Sequence, residues 1–194
     1  MREIILASKS PRRKELLENI GVKFQILVSD VDESVVSKDY EPGLYVRELA
    51  LLKAMGVAKH CPKNMFVIGA DTVVVLEDEI LGKPKDRQDA YDMLMKLSGK
   101  THYVYTGISV VDTNDAHTVA AYESTAVTFK ELSEKEINYY LDNYNVLDKA
   151  GAYAVQEYAG RFVKNINGDY FNIVGLPVCR LCTLVSEEYG EDLI

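Results

Sequence analysis

The chain has 194 residues, of which 47% are hydrophobic and 27% charged, and its formal net charge is −8. This composition is typical of a globular protein that can bury a full-sized core. The negative charge argues against a surface built to coat nucleic acid or anionic membranes, because such surfaces rely on basic patches. No apolar run is long enough to predict a membrane-spanning helix, and no signal peptide is expected. Three cysteines do not build a disulfide framework, so we expect a cytoplasmic location.

A β-α-β unit is predicted at the start of the chain. Residues 3–7 and 23–29 have the apolar character of strands. Between them, a helix is expected over Pro11–Asn19, and Gly21 ends it. Such a unit favours parallel pairing of its strands through a right-handed crossover.

Strands and helices follow one another through the rest of the chain, with a hairpin-rich middle. Apolar periodicity distinguishes the helices from the strands, and Ser133 with Glu136 forms a capping-box pattern. The order of elements predicts an α/β fold with a mixed sheet, in a single domain over residues 1–194 that has two lobes. The expected elements are a loop at 30–42, helices at 43–59, 86–97, 133–143 and 177–189, and strands at 65–69, 73–76, 101–111, 119–129, 151–156, 161–166 and 170–174.

Two arginines, Arg12 and Arg13, lie in the first turn of the first helix. The helix dipole already places partial positive charge at this end, so cations are unfavourable there. Ser10 is a capping residue, and Pro11 suits the first helical position. A bound anion, most simply a phosphate, explains the two arginines. The alternative is a solvated basic patch.

A carboxylate, Asp71, directly follows the short apolar strand at 65–69 and Ala70. We expect it at the carboxyl end of that strand, where ligands bind in α/β sheets. Residues typical of strands follow it, so it does not have the context of a helix cap. There it could bind a divalent metal or take a proton from an attacking water.

Three further patterns are weaker signals. Gly82-Lys83-Pro84 holds a lysine between a flexible and a stiff residue, without the spacing of a Walker A motif. Gln156 follows a run of small residues, where it could read a base or simply pack. Asp30, Asp32 and Glu33 form an acidic loop that could bind Mg²⁺ or Mn²⁺, or could be merely solvated.

The cysteines and histidines are expected to be structural. Cys179 and Cys182 have a redox-like spacing, but their apolar surroundings favour core packing. His60, His102 and His117 flank turns and are expected at the surface. Their scattered positions do not predict a zinc site.

Together, motifs along nearly the whole chain resemble those of the Maf family of nucleotide pyrophosphatases. They are Leu-Ala-Ser-x-Ser-Pro-Arg-Arg at 6–13, Lys53, Gly-Ala-Asp-Thr at 69–72, Leu-Gly-Lys-Pro at 81–84, Leu-Ser-Gly at 97–99, Ala-Gly-Ala-Tyr-x-x-Gln at 150–156 and Gly-Asp-Tyr-Phe-Asn-Ile-Val-Gly-Leu-Pro at 168–177.

The resemblance implies an elongated mixed sheet flanked by helices, with a cleft between two lobes, similar to inosine triphosphatases. It implies hydrolysis of a nucleoside triphosphate to the monophosphate and pyrophosphate, with a divalent cation such as Mg²⁺, Mn²⁺ or Co²⁺. The implied role is removal of non-standard or excess nucleotides. A homodimer is also implied. The net charge of the chain argues against nucleic acid and membrane as partners.

The resemblance also assigns roles to individual positions of this chain. Three positions separate the subfamilies of this family. The residues of this chain there are similar to those of the branch acting on dTTP and UTP, whereas the branch acting on 7-methyl-GTP has Trp, Gln and Glu there. The implied roles are proton acceptor for Asp71, phosphate binding for Ser8, Ser10, Arg13, Lys53 and Lys83, metal binding for Glu33 with Asp71, and base specificity for Arg12, Thr72 and Gln156.

Two alternatives stay open at this point. One is a pyrophosphatase of the 7-methyl-GTP type. The other is a nucleotide-binding regulator of cell division that does not turn its ligand over. Asp71 favours catalysis, because a protein that merely binds a triphosphate has less need of a carboxylate beside it.

Overall fold

The computed structural model describes residues 2–28 and 30–193. No helix within them is both long and apolar enough to cross a membrane. Short 3-10 turns cover Glu33–Val35, Ala150–Ala152 and Tyr158–Phe162. The strands are β1 (Glu3–Leu6), β2 (Phe24–Ile26), β3 (Met65–Leu76), β4 (Glu79–Leu81), β5 (Thr101–Asp112), β6 (Thr118–Phe129) and β7 (Val163–Asn167), and the helices are α1 (Pro11–Asn19), α2 (Pro42–Ala58), α3 (Arg87–Leu97), α4 (Glu134–Asn143), α5 (Tyr170–Val174) and α6 (Val178–Tyr189).

The described strands form one seven-stranded mixed sheet in the order β2-β1-β3-β5-β6-β7, with β4 beside β3. Ile4 of β1 lies opposite Phe24 of β2 and Phe66 of β3, and both pairings are parallel. β4 and β7 pair antiparallel with β3 and β6. The predicted α/β fold with a mixed sheet is confirmed, as is the parallel β-α-β unit at its start.

The chain divides into two compact units. The first unit comprises the residues up to Asp71, Thr106–Glu123 and the chain from Gly175 onward. The second comprises Thr72–Tyr105 and Ser124–Val174. β3, β5 and β6 each contribute residues to both units. That the two units behave as one domain stays a prediction.

The core of the first unit covers both faces of its strands. Phe66 of β3 packs its ring against Tyr189 of α6, with the ring centroids 4.7 Å apart. Successive strand residues point to opposite faces, so the neighbour Val67 faces α2. Buried side chains from β1 and the residue that follows it, and from α2, β3 and β5, form a cluster on that second face, namely Ile5, Ala7, Ala54, Val57, Val67 and Val111.

Two glycines let α2 lie directly against the sheet. A Cβ atom at Gly69 of β3 would meet the carbonyl oxygen of Ala50 at 2.1 Å. At Gly107 of β5 the corresponding distance to an α2 carbonyl oxygen is 2.2 Å. Lys53 follows Ala50 by about one helical turn, and Asp71 lies on the same face of β3 as Gly69. The close contact therefore sets how near Lys53 comes to Asp71.

Gly69→Ala is expected to lower the free energy of unfolding by about 1–3 kcal/mol, because the added methyl group forces α2 away from β3. Urea denaturation measures the change. Gly82→Ala is the matched control: nothing lies within 4 Å of a Cβ atom there, so its stability should change by less than about 0.5 kcal/mol. Equal effects of the two substitutions would contradict the close contact.

The second unit has an aromatic core built around a histidine. The ring of His102 on β5 is fully buried and lies edge-on to Phe129 and Tyr153. Its Nε2 shares a 2.8 Å hydrogen bond with the hydroxyl of Tyr153. The prediction that His102 lies at the surface is therefore wrong, because its strand alternates and places this position on the core face. The prediction is right for His117, which is exposed.

Two segments predicted as strands have other structures. Gly151 and Ala152 have φ angles of 64° and 62°, in the left-handed region, so residues 151–156 turn instead of extending. Tyr170–Val174 is a helix because the Asp169 carboxylate accepts a 2.7 Å hydrogen bond from the Phe171 amide and caps it. The residues of that segment favour β-strands, so the sequence pattern predicted a strand in spite of the capping residue.

The other predicted elements agree closely with the structure. α1 forms over the predicted residues, and α2, α3, α4 and α6 begin and end within one residue of the prediction. The strand predicted at 23–29 is shorter, and its predicted end at Ser29 lies outside the described residues. Cys179 of α6 is exposed, so core packing was the wrong expectation for it.

The buried His102 predicts a loss of stability in acid. Burial lowers its pKa from 6.5 to about 4, so between these values the unfolded chain binds a proton that the folded chain does not. Stability is full above pH 6.5 and falls as the pH drops towards 4, by about 3 kcal/mol.

This loss is measured by urea denaturation of the wild type and His102→Gln between pH 7 and pH 4. The stability difference between the two should shrink by about 3 kcal/mol over that range. His117→Gln is the control and should follow the wild type, because His117 is exposed. Parallel curves for the wild type and His102→Gln would contradict the prediction.

Candidate functional site

Asp71 lies within a long strand and not at the end of one. The two predicted strands at 65–69 and 73–76 are a single strand, β3, which runs from Met65 to Leu76. The expected place of Asp71 at a carboxyl strand end is therefore wrong. The strand continues past the polar residues Asp71 and Thr72 because Val74 and Val75, which follow them, pair with β4. Asp71 and Thr72 are accommodated as half-buried side chains in mid-strand.

Lys53 of α2 joins two carboxylates in the first unit. Its Nζ lies 2.6 Å from Oδ1 of Asp71 and 3.1 Å from Oε1 of Glu33. The side chains of Lys53 and Asp71 are only 19% and 16% exposed, whereas Glu33 is 52% exposed. Low exposure strengthens the attraction between Lys53 and Asp71 relative to a surface ion pair. The structure thus brings together three residues that lie far apart in the sequence.

Glu33 is held by a short turn in the acidic loop. Residues Glu33–Val35 form a 3-10 turn, so the predicted loop is not wholly irregular. Asp32 caps this turn, and its Oδ1 accepts a 2.9 Å hydrogen bond from the amide of Ser34. Asp32 thereby has a structural role, which leaves Glu33 as the carboxylate of the loop that reaches Lys53.

Tyr45 is a residue near this site that the sequence analysis missed. It is half-buried on α2, and its pKa is raised by burial and by the negative charges of Asp71 and Glu33. It precedes Lys53 by about two helical turns, which returns it to roughly the same side of the helix. That spacing from a predicted site residue was the signal available in the sequence.

The predicted cap at the start of α1 is present in the structure. Ser10 is the N-cap residue, and its Oγ accepts a 3.4 Å hydrogen bond from the amide of Arg13. Ser8 is buried, and its Oγ accepts hydrogen bonds from the Ser10 amide and from Nη1 of Arg13. Both serines thus stabilise the turn that leads into the helix. Their predicted role in phosphate binding stays a prediction.

Arg13 ties α1 to two other parts of the first unit. Its Nε donates to the carbonyl oxygen of Gly175 at 2.7 Å, and its Nη1 donates to that of Ala70 at 2.9 Å. Burial lowers the pKa of Arg13, and so does the neighbouring Arg12, while the charges of Asp71 and Glu33 act in the opposite direction. Arg13 therefore positions the start of α1 beside Asp71.

Arg13→Lys is expected to lower the free energy of unfolding by about 2 kcal/mol, although the charge is kept. A lysine cannot reproduce the planar fork of donors, so buried carbonyl oxygens lose their partners. Lys14→Met is the control next to it, because Lys14 is exposed and pairs only across one turn with Glu18. Urea denaturation compares the two. Wild-type stability of Arg13→Lys would refute the tethering role.

Three predicted site residues belong to the second unit. Thr72 follows Asp71 on β3, while Lys83 and Gln156 lie in loops and are exposed. These two loops meet within the unit, because the amide of Gly151 donates a 3.0 Å hydrogen bond to the carbonyl oxygen of Gly82. The Lys83 loop and the Gln156 loop are thereby held together.

The carboxylates of the first unit suit a hard divalent cation. Among the described residues no group of three or more His, Cys, Asp or Glu side chains is placed to hold a metal ion. Mg²⁺, however, is commonly held by only one or two carboxylates together with water and substrate phosphates. Asp71 and Glu33, which both contact Lys53, provide that donor set.

Known proteins resemble this chain over nearly its whole length. A dTTP/UTP pyrophosphatase of Thermoanaerobacter sp. (strain X514) is 48% identical over 192 residues, which are 99% of this chain and 100% of the relative. One of Bacillus anthracis is 50% identical over 181 residues, 93% of each chain. The solved structure of the Staphylococcus aureus Ham1 protein, 18% identical, superposes with a TM-score of 0.46 over 66% of this chain and 72% of its own. Residues 3–188 match the family described as Maf-like protein, and the chain belongs to that family.

Proposed function

We propose that this protein hydrolyses dTTP and UTP to the nucleoside monophosphate and pyrophosphate. Its relatives from Thermoanaerobacter and Bacillus are 48% and 50% identical to it over almost the full chain, and both are named dTTP/UTP pyrophosphatase. The observation that carries the proposal is the contact between Lys53 and Asp71 at 2.6 Å. It places a carboxylate and an ammonium together at a half-buried point of β3. In the cell, such an enzyme would remove non-standard or excess pyrimidine nucleotides.

Asp71 is the proton acceptor in this mechanism. A water molecule attacks the α-phosphorus in line with the bond to the leaving pyrophosphate, and a new oxygen–phosphorus bond forms as the old one breaks. The Asp71 carboxylate orients this water and takes up its proton. Lys53 holds the carboxylate in place and offers positive charge to the developing phosphate oxygens.

Positive charge around the triphosphate comes from several side chains. Lys53, Lys83 and Arg12 offer direct contacts, and the amides at the start of α1 add partial positive charge. Three N–H donors of Arg13 already bind Gly175, Ala70 and Ser8. Arg13 therefore contributes mainly its charge and the position of α1, with Ser8 and Ser10 shaping the turn.

Asp71 and Glu33 are the residues that would hold a divalent cation such as Mg²⁺, Mn²⁺ or Co²⁺. When bound, that cation supplies charge stabilisation of the triphosphate. Lys53 lies between the same two carboxylates and offsets one of their two negative charges. A divalent cation would balance the charge that remains.

Base preference depends on Arg12, Thr72 and Gln156 in this proposal. A Gln amide both donates and accepts, so it can match part of the acceptor-donor-acceptor edge of uracil and thymine. A glutamate at this position would instead favour the donor face of guanine. The exposed Gln156 side chain is available for such a contact.

We further propose a homodimer in the cytoplasm. The three cysteines are free thiols, which fits a reducing compartment. Tyr139 and Tyr144 of the second unit are large exposed aromatic side chains of the kind enriched at protein interfaces.

The proposed function is tested by a turnover screen. Canonical and modified nucleoside triphosphates, including 7-methyl-GTP, are incubated with Mg²⁺, Mn²⁺ or Co²⁺, and released pyrophosphate is measured. UTP and dTTP should be the best substrates. A preference for 7-methyl-GTP, or binding of UTP without turnover, would refute the proposal.

Asp71→Asn is expected to lower kcat by about 10²–10⁴, the usual range for loss of a general base. Asn is close in size and keeps a hydrogen-bond acceptor for Lys53, so the fold should remain. Urea denaturation checks the fold, and released pyrophosphate measures turnover. Near-normal turnover would remove Asp71 from the role of proton acceptor.

A further inference from the structure

The loop that carries Gln156 contains a buried lysine that the mechanism does not use. The side chain of Lys149 is only 6% exposed. Its Nζ donates to the carbonyl oxygen of Asn145 at 2.5 Å and to Oδ1 of Asp148 at 2.9 Å. Oε1 of Glu157 lies 3.7 Å away. Lysine is rarely buried so deeply unless its charge is paired, and here it is.

These contacts lie on both sides of Gln156. Asn145 and Asp148 precede the loop, whereas Glu157 directly follows Gln156 in the chain. The Lys149 ammonium therefore bridges the two ends of the segment 148–157. A bridge of this kind restrains the chain on either side of Gln156.

The first half of the loop is fixed by other contacts. The Ala154 amide donates to the hydroxyl of Tyr140 at 3.3 Å, and the Tyr153 hydroxyl bonds His102. Ala152 is held at a φ of 62°, which is unfavourable for a residue with a side chain. Strained backbone of this kind persists only where surrounding contacts determine it. The loop is thus built to adopt one conformation.

Lys149 is buried, whereas its partners Asp148 and Glu157 are 43% and 34% exposed, and burying even one member of an ion pair is a poor way to gain stability. Replacing such a pair by apolar residues of similar size is often neutral or stabilising, because removing charges from water is costly. What a charged pair offers instead is a defined geometry, which an apolar contact does not specify. Lys149 is therefore better explained by the geometry of its loop than by stability.

We propose that Lys149, through Glu157, is a positioning residue that fixes Gln156 for reading the pyrimidine base. The inference rests on the proposed function, because it requires that Gln156 contact the base. Lys149 itself is too deeply buried to contact the substrate, and acts through the loop.

The test compares UTP with CTP, which share the sugar and triphosphate and differ at the base edge that Gln156 would read. Glu157→Gln removes the charge that faces Lys149 and leaves Gln156 intact. We expect it to lower the ratio of kcat/KM for UTP to that for CTP by about fivefold, mainly through a higher KM for UTP. Lys149→Met should lower the ratio further, and Glu157→Gln keeps the test valid if Lys149→Met does not fold.

Glu79→Gln is the matched control. It removes the exposed ion pair between Glu79 and Lys96 in the same unit, which involves no residue of the segment 148–157, and should leave the ratio unchanged. In a Gln156→Ala background, Glu157→Gln should have no further effect on the ratio, since the positioned group is gone. An unchanged ratio, an equal loss for UTP and CTP, or a persistent effect without Gln156 would overturn the inference.

Hydrogen exchange separates failure of this inference from failure of the proposed function. Glu157→Gln should increase deuterium uptake at the amides of residues 150–157 and leave the other regions unchanged. Unchanged uptake would overturn the inference, whatever the substrate. If uptake rises as expected but the wild type does not prefer UTP over CTP, the proposed base specificity fails, and the role of Lys149 in positioning Gln156 for the base fails with it.

Discussion

The direct contact between the backbone of α2 and that of β3 is the constraint on which the first unit depends. At Gly69 there is no room for a side chain, since a Cβ atom would lie 2.1 Å from a carbonyl oxygen of α2. This contact brings Lys53 to within 2.6 Å of Asp71, and Lys53 in turn reaches Glu33. If α2 lay further from β3 by the width of a side chain, the ammonium of Lys53 would not reach both carboxylates. A packing requirement in the core thus determines the electrostatics of the candidate site.

The same unit supplies partners for Arg13, one of the two arginines of α1. Arg13 donates to the backbone carbonyl oxygens of Gly175 and Ala70, so part of its donor capacity goes to holding the protein together. The electrostatic cost of placing cations at a helix N-terminus is therefore offset within the fold, by buried carbonyl oxygens and by the charges of Asp71 and Glu33. A bound phosphate is not the sole explanation of the motif. It remains the proposed explanation for the neighbouring Arg12, and for the concentration of positive charge at this point.

The second unit positions two of its three candidate residues, Lys83 and Gln156, by loops. The loop before Gln156 contains a left-handed Ala152, a buried lysine and a tyrosine bonded to a buried histidine. Each of these features is unfavourable or costly by itself, and each is compensated by a contact within the unit. Such a loop has little freedom, which suits the proposed role of the Gln156 side chain in base selection.

Local patterns in the sequence determined most of the secondary structure. Ser10 and Pro11 fixed the start of α1, Ser133 and Glu136 fixed that of α4, and two β segments separated by a hairpin turn predicted β5 and β6, because caps and turns act over a few residues. The motifs likewise identified the family. Tertiary structure alone decided three further points. β3 runs through Asp71 because its pairing with β4 carries the strand past the polar residues. His102 is buried because the core of the second unit lies on that face of β5. Lys53 meets Asp71 and Glu33 because α2 packs on glycine. These outcomes depend on contacts between residues far apart in the chain, which no short-range pattern encodes.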